Sequence, residues 1–377
     1  MGGPGRCTRY RDPGGGASRV ISAELLTLVC CPDCGGTLVE DGAGLRCTRC
    51  SHIVTRGPGY LDLRPSTSFT EQTKYLDEAL HGDARHETVS PPLLQAGVRQ
   101  WMLGRMLAPG PGDVVVDLGC GSGRSLVWNY ASGATLVGID VAPYFANEAL
   151  ERADLVLGDL RRLPFRDGAF AKAYALDVFE HLSRPALGQV LAEMARVIRP
   201  GGQVFVYSHV RKNSSLAWGL KAVNALARGL ERVGLVDLRQ ERLRKSDHLN
   251  PLDDIPDLER TVAAAGFGIA SIRYYTPLAG AVIENILMRM AERGLGLWRT
   301  RNAPRGAMDT DAERTAQARE ARTAAKRALA AGGPLYQSLR LATALMTLDV
   351  RVFGRVRSGP FFVLLERKPS QGSTVTT

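Results

Sequence analysis

Two CxxC knuckles, Cys31-Pro-Asp-Cys34 and Cys47-Thr-Arg-Cys50, stand twelve residues apart near the start of the chain. Each knuckle turns two thiolates toward one point, and two facing knuckles make the tetrahedral four-sulfur cage that Zn2+ accepts. With four protein thiolates no coordination position stays open, so the expected zinc is structural and performs no chemistry. A redox CxxC pair or unrelated free thiols is the competing reading. Cys30 adjoins Cys31 and blurs the ligand choice, which the spacing resolves toward Cys31; Cys7 and Cys120 read as plain residues.

A second cluster begins at Val114. Val114-Val115-Val116-Asp117-Leu118-Gly119-Cys120-Gly121-Ser122-Gly123-Arg124 reads as a buried strand, a glycine turn and the start of a helix. Glycines let the backbone turn sharply and approach a ligand closely, and the helix start offers unpaired N–H groups. A dinucleotide fingerprint needs its third glycine where Arg124 or Leu126 stands. The loop reads DxGxGxG instead. Seventeen residues after Gly123, Val137-Gly138-Ile139-Asp140 places a carboxylate at the end of the next strand. Asp140 there is positioned to accept both hydroxyls of a ribose; the alternative is a helix N-cap.

The elements that must hold these groups follow from periodicity. Strands are expected at Val114–Leu118, Thr135–Asp140, Leu155–Leu157, Ala171–Leu176 and Gln203–Ser208, with helical patterns between several of them. Such alternation argues for a parallel sheet with helices on both faces. Leu187, Val190, Leu191, Met194 and Ile198 recur at helical spacing, and Pro200-Gly201-Gly202 is expected to end that helix. A helix at Leu258–Ala265 stops at Gly266, a strand follows at Phe267–Tyr275, and the last strong strand is Phe361–Glu366. The residues between the last two strands read as a helical insertion, because a structureless loop of that length is improbable.

The expected organisation is therefore a disordered tail over 1–23, a zinc ribbon over 24–65 and a helical connector over 66–110. An α/β core over 111–278 comes next, with its last strand at 359–369, a helical insertion over 279–358 and a second disordered tail over 370–377.

Taken in order, several further pieces resemble the class I, Rossmann-like S-adenosylmethionine-dependent methyltransferases, particularly their broad quinone and small-molecule (type 11) branch. They are Gly158-Asp159-Leu160, Leu163-Pro164-Phe165, Asp167-Gly168-Ala169-Phe170, Leu176-Asp177-Val178-Phe179-Glu180-His181-Leu182 and Arg199-Pro200-Gly201-Gly202. The resemblance covers roughly residues 110–278 and rejoins near Phe361. It implies a seven-stranded sheet and the cofactor S-adenosyl-L-methionine. Asp117, Gly119, Gly121 and Gly123 would hold its methionine portion, Asp140 its ribose, and Asp159 with Leu160 its adenine. It also places Asp177 and His181 at the active-site rim. His181 is a base or substrate contact, or it caps and orients the following helix. His248, in Ser246-Asp247-His248-Leu249-Asn250-Pro251, lies in a loop within reach of the acceptor pocket, and His209 is a further candidate. Methyl transfer needs alignment above all and a base only where the acceptor keeps a proton.

The ribbon, with Leu25-Leu26-Thr27-Leu28-Val29 before its knuckles and Gly57-Pro58-Gly59-Tyr60-Leu61-Asp62-Leu63 after them, resembles short zinc domains fused to methyltransferases or activating them. Some bacterial ribosomal-RNA guanine methyltransferases carry one; the connector and the long insertion depart from their pattern.

Composition bounds the acceptor only loosely. The formal charge of +10 favours a polyanionic partner, nucleic acid or an anionic membrane, over an acidic small substrate. Nine Lys/Arg against three Asp/Glu fall between Arg211 and Lys245. Leu216–Val233 is amphipathic and basic-flanked, and Val282, Ile283, Ile286, Leu287 and Met290 share one helical face. These faces pack on each other, on a second subunit as a homo-oligomer, or on an anionic membrane that delivers a lipid-like acceptor. A small-molecule or lipid-like acceptor is the first expectation and a ribosomal or transfer RNA the second; a non-catalytic cofactor-binding scaffold is the third. Met1–Arg19 lacks the apolar run of a secretory signal, and no stretch reaches the ~18–20 apolar residues of a spanning helix. With the cysteines in a metal-type array, a cytoplasmic protein, at most peripheral to a membrane, is expected.

Overall fold

The computed structural model describes residues 21–42, 44–66, 89–211, 218–236, 248–275, 279–290, 293, 332–357 and 360–369. Most of both expected tails, residues 67–88 of the connector and the run Asp311–Ala331 of the insertion lie outside the described residues.

Helix α1 (Ala23–Leu28) precedes four short strands, β1 (Leu38–Asp41), β2 (Gly44–Cys47), β3 (Ile53–Gly57) and β4 (Tyr60–Asp62). The long helix α2 (Leu94–Met106) leads into β5 (Val114–Leu118), α3 (Arg124–Asn129), β6 (Thr135–Asp140), α4 (Asn147–Arg152), β7 (Asp154–Leu157) and β8 (Phe170–Leu176). Then come α5 (Arg184–Val197), β9 (Ile198–Ser208), α6 (Trp218–Arg232), α7 (Ile255–Ala264), β10 (Phe267–Tyr274), α8 (Pro334–Phe353) and β11 (Phe361–Arg367). The strands join one sheet in the order β1-β2-β3-β4-β7-β6-β5-β8-β9-β11-β10. Strands β5 to β9 pair in parallel, and β11 inserts antiparallel between β9 and β10. This is the expected α/β sheet of seven strands, with the ribbon added to it.

Period-two alternation gives the sheet two buried faces. On β9, Val204 and Val206 join a core with α5 and α7, while Phe205 and Tyr207 join another with α2, α3, α4 and α8. Helix α5 begins at Ser183, whose side chain accepts from the Ala186 N–H at 3.3 Å. It buries Leu187, Val190, Leu191, Met194 and Val197 along one face, each worth roughly 1.5–3 kcal/mol. Truncating Leu191 to alanine there would cost about 2–5 kcal/mol.

Four details differ from expectation. The ribbon is continuous with the core sheet, because β4 pairs in parallel with β7 (Tyr60 with Leu155, Asp62 with Leu157). Ile21, Ser22 and Ala23 belong to the folded unit and not to the tail: Ile21 is buried, and the Ser22 hydroxyl donates to Asp154 at 2.5 Å. Helix α5 ends at Val197, ahead of Pro200, because Ile198 already pairs with Phe170; Pro200-Gly201-Gly202 forms an irregularity inside β9. Finally, Ile283 and Ile286 are buried while Leu287 and Met290 are exposed. The π-helical turn Ile283–Leu287 rotates these residues away from a shared face.

Candidate functional site

The four cysteines meet as their spacing predicts. Cys31 and Cys50 place their sulfurs 3.5 Å apart, and Cys34 lies 3.4 Å from both Cys47 and Cys50. A tetrahedron with ~2.3 Å bonds to sulfur has edges of about 3.8 Å, so the cage fits zinc. Gly36 makes this closeness possible, since a Cβ there would lie 2.9 Å from the Cys47 sulfur. Burial pushes the Cys31 thiol up to about 12, while N–H donors from Cys50 and Arg49 overcome burial and hold Cys47 down at about 6. Cys30 stands outside the cage and spends its N–H on the Pro164 carbonyl at 3.0 Å.

The glycine turn lies where β5, β6 and β7 end side by side. Gly119, Gly121 and Gly123 all have left-handed backbones, with φ of +76°, +54° and +79°. A Cβ on Gly119 would strike Val178 at 2.7 Å and one on Gly123 would strike Ala149 at 2.5 Å, whereas one on Gly121 would enter open space. The loop is therefore packed at both ends and open at its centre. Asp140 faces that centre. It accepts from the Gly121 N–H at 2.8 Å and the Ala142 N–H at 3.1 Å. The N-cap alternative fails, because the next helix starts only after Ala146. Asp117 is buried beneath the loop, and loss of water, with Asp140 nearby, pushes its carboxyl well above the usual range. Asp159 is half-buried and engaged by the Arg161 guanidinium at 2.9–3.0 Å. Leu160 packs at the edge of the core.

A polar cluster sits at the ends of β8 and β9. Asp177 adopts φ +56° and pairs with Arg99 of α2, which also lies over the Tyr207 ring at 4.7 Å. Glu180 is completely buried. One of its oxygens faces His209 Nδ1 at 3.2 Å and the other accepts from the Ser208 hydroxyl at 2.8 Å. Burial opposes ionisation of this carboxyl, but the bond and charge of His209 prevail and keep it below the usual range. His181 and His248 meet edge-to-face, centroids 4.7 Å apart, and His209 lies 5.9 Å from His248. Capping of α5 falls to Ser183, so His181 is not the cap.

A parallel sheet closed by one antiparallel strand, with a glycine turn after β5 and an acid after β6, can be compared with known proteins. Residues 116–206 match a family model described as a methyltransferase domain. That match covers about a quarter of the chain. The chain is 34% identical over 107 residues to the sterol 4-C-methyltransferase strm-1 of Caenorhabditis elegans, covering 26% of this chain and 31% of that protein. It is 31% identical over 134 residues to the probable tRNA methyltransferase 9B of Mus musculus, covering 34% of this chain and 30% of that protein. The match thus spans about a third of each relative's length. A solved phosphoethanolamine N-methyltransferase 2 of Haemonchus contortus, in complex with S-adenosyl-L-methionine, superposes with a TM-score of 0.45 at 15% identity over 79% of this chain and 60% of that one.

The ribbon is fastened to the α/β core along β7 and the Leu163-Pro164-Phe165 segment. Val29 bridges Phe165, the Arg166 N–H donates to Leu28 at 2.8 Å, and Arg162 reaches the Asp33 carbonyl. The edge of β7, otherwise a row of open backbone groups, is thereby covered beside Asp159.

Three participants in the domain's polar cluster escape sequence reasoning. Arg99 arrives from a helix far upstream, and Gln95 on the same helix donates to the Tyr207 hydroxyl at 3.0 Å. Glu180 carries one readable signal, an acid directly before His181 and after the apolar pair Val178-Phe179.

Proposed function

We propose that this protein is an S-adenosylmethionine-dependent methyltransferase acting on an oxygen of a lipid-like small molecule, with a structural zinc ion in its ribbon. The observation that carries the reading is an open glycine cradle facing Asp140 on the same sheet edge as the Glu180–His209 pair. The residues present fit the cofactor. Gly121 leaves room where its backbone must approach a ligand, Asp140 offers carboxylate lone pairs to a ribose, and Asp117 supplies a buried acid beneath a cationic group. When bound, the cofactor supplies an electrophilic methyl, whose carbon takes the acceptor's lone pair while the old bond's electrons stay on sulfur. The chain's own work is to align the acceptor and remove its proton. Glu180 holds His209 through Nδ1, which favours the tautomer whose Nε2 accepts a proton. Tyr207 stands between this base and α2, its ring 5.6 Å from that of His209 and covered by Arg99 of that helix.

Lipid-like character is supported by exposed apolar residues on α8. Leu341, Leu345, Leu348 and Val352 are all largely exposed along that helix, and Arg351 and Arg355 stand near its end. An apolar stripe beside arginines suits an anionic membrane surface. Among the described residues no helix is long and apolar enough to cross one. The ribbon is occupied as an edge cover for β7, which supports a structural part for it over RNA capture.

Calorimetry with S-adenosylmethionine tests the cofactor reading: wild type should bind and Asp140→Ala should bind at least tenfold more weakly. Extracts incubated with enzyme and labelled cofactor should yield a lipid-soluble product one methyl heavier. A labelled RNA fraction with no labelled lipid would replace the acceptor assignment. Failure to pellet with anionic vesicles at low salt would remove the membrane part.

A further inference from the structure

We propose that Glu180, His181 and His248 bind a divalent transition-metal ion at the acceptor end of the site, separate from the ribbon's zinc. The three side chains offer ligand atoms within 4.8 Å of one another, and Asp177, Glu180 and His209 form a second such group around the same carboxylate. The two groups share the Glu180 carboxylate, and the His209 and His248 rings lie 5.9 Å apart beside it. They come from three distant segments: the turn after β8, the end of β9, and residues 248–250.

The main chain is built to hold them together. The Leu249 and Asn250 N–H groups both donate to the Glu180 carbonyl, at 2.8 and 3.0 Å. The residue that supplies the buried carboxylate thus also anchors the loop that carries His248. Asp177 on the same turn has a left-handed backbone, φ +56°, a conformation that costs a non-glycine residue about 1 kcal/mol and needs a compensating arrangement around it. The Glu180 oxygens each take one hydrogen-bonding neighbour, His209 at 3.2 Å and Ser208 at 2.8 Å, and a carboxylate oxygen has a second lone pair for a metal.

The donor set selects the ion. Imidazoles with a carboxylate suit zinc, iron, manganese or cobalt, whereas magnesium and calcium prefer oxygen alone. Two histidines and one carboxylate leave coordination positions open. Ligands on one face of an octahedral shell with ~2.1 Å bonds are about 3.0 Å apart, so the three side chains close inward on binding. The open positions suit an acceptor with two neighbouring oxygens. Such an ion would make a hydroxyl that it holds more acidic, lowering its pKa, and that hydroxyl's proton would pass to His209. This last role rests on the methyl-transfer reading; metal binding itself does not.

The test is a cobalt(II) titration of the full-length, metal-stripped protein without cofactor, followed by absorption spectroscopy and metal analysis. The thiolate cage should fill with intense sulfur-to-cobalt bands. A second phase with only weak d–d bands should add one further equivalent. His181→Ala and His248→Ala should each abolish the second phase and leave the first, with unchanged circular dichroism. Cys47→Ser should do the reverse, and Asp253→Asn should change neither. Absence of a second phase in wild type would overturn the proposal, as would its survival in both histidine variants. S-adenosylmethionine binding measured on the same samples shows independently whether the methyltransferase reading stands.

Discussion

Tyr60 of the ribbon and Phe145 of the segment after β6 meet edge-to-face, ring centroids 5.5 Å apart at 66°. The contact joins the four-cysteine module to the loop that follows Asp140. A module of this size cannot bury enough apolar surface to stand alone without a metal, so loss of the proposed zinc should propagate along β4 into β7.

Calorimetric melting should therefore show one cooperative transition for the zinc-loaded chain. Chelation, or Cys47→Ser, should lower the midpoint of that same transition and weaken S-adenosylmethionine binding. Two independent transitions, with only the smaller one sensitive to metal, would show that the β4–β7 pairing does not couple the modules.

The two ends of the glycine loop should separate binding from stability. Gly121→Ala adds backbone strain of about 1–2 kcal/mol and places its methyl in open space, so cofactor affinity should drop tenfold or more with a modest change in melting. Gly123→Ala adds the same strain and a methyl 2.5 Å from Ala149, and should destabilise the fold by roughly 2–4 kcal/mol. Urea unfolding and isothermal calorimetry distinguish the pair; equal stability losses would contradict the assignment.

Arg184 clamps Asp257 through two hydrogen bonds of 2.5 and 2.6 Å. The Arg184 partner holds the Asp257 carboxyl far below the usual carboxylate range. A depressed acid contributes stability that is complete above its unfolded value, about 3.9, and fades as pH falls toward the folded one. Arg184 is half-exposed, which limits the contribution to about 1–2 kcal/mol. Asp257→Asn should be less stable by that amount from pH 5 to 7, and the gap to wild type should shrink below pH 4. Denaturant midpoints across this range decide it, and a gap that widens in acid would reverse the sign.

Replacing His209 with glutamine should lower kcat by 10²–10³-fold while KM changes little, the signature of a lost proton acceptor. Initial-rate kinetics with the identified acceptor provide the check. A change confined to KM would make His209 a binding contact.

Much of this architecture was legible because its signals are local. The knuckles Cys31–Cys34 and Cys47–Cys50 and the run from Val114 to Arg124 hold their chemistry within a few residues, so residue type and spacing were enough. Pairing between β4 and β7 had no such signal: Tyr60 and Leu155 are partners only because an edge needs covering. The same limit hid Arg99 beside Asp177, a meeting that depends on where α2 packs. Glu180 was visible as a letter but not as the buried neighbour of three histidines, because an acid in a turn says nothing about which loops converge on it. The end of α5 is set by Ile198, whose β-branched side chain enters the sheet two residues before Pro200, a competition that the breaker Pro-Gly-Gly hides in the sequence.

Strand β11 has a consequence for how the molecule assembles. Phe361 pairs with Ser208 on one side and with Tyr274 on the other, so neither β9 nor β10 is saturated until a segment far along the chain arrives. Contacts this remote in sequence slow folding, and during the wait two apolar strands present unpaired edges to other chains. Slow synthesis, low temperature or a chaperone should therefore raise the soluble yield more than any substitution in the ribbon. A chain cut before Phe361 would lose an interior strand and leave two sticky borders in its place.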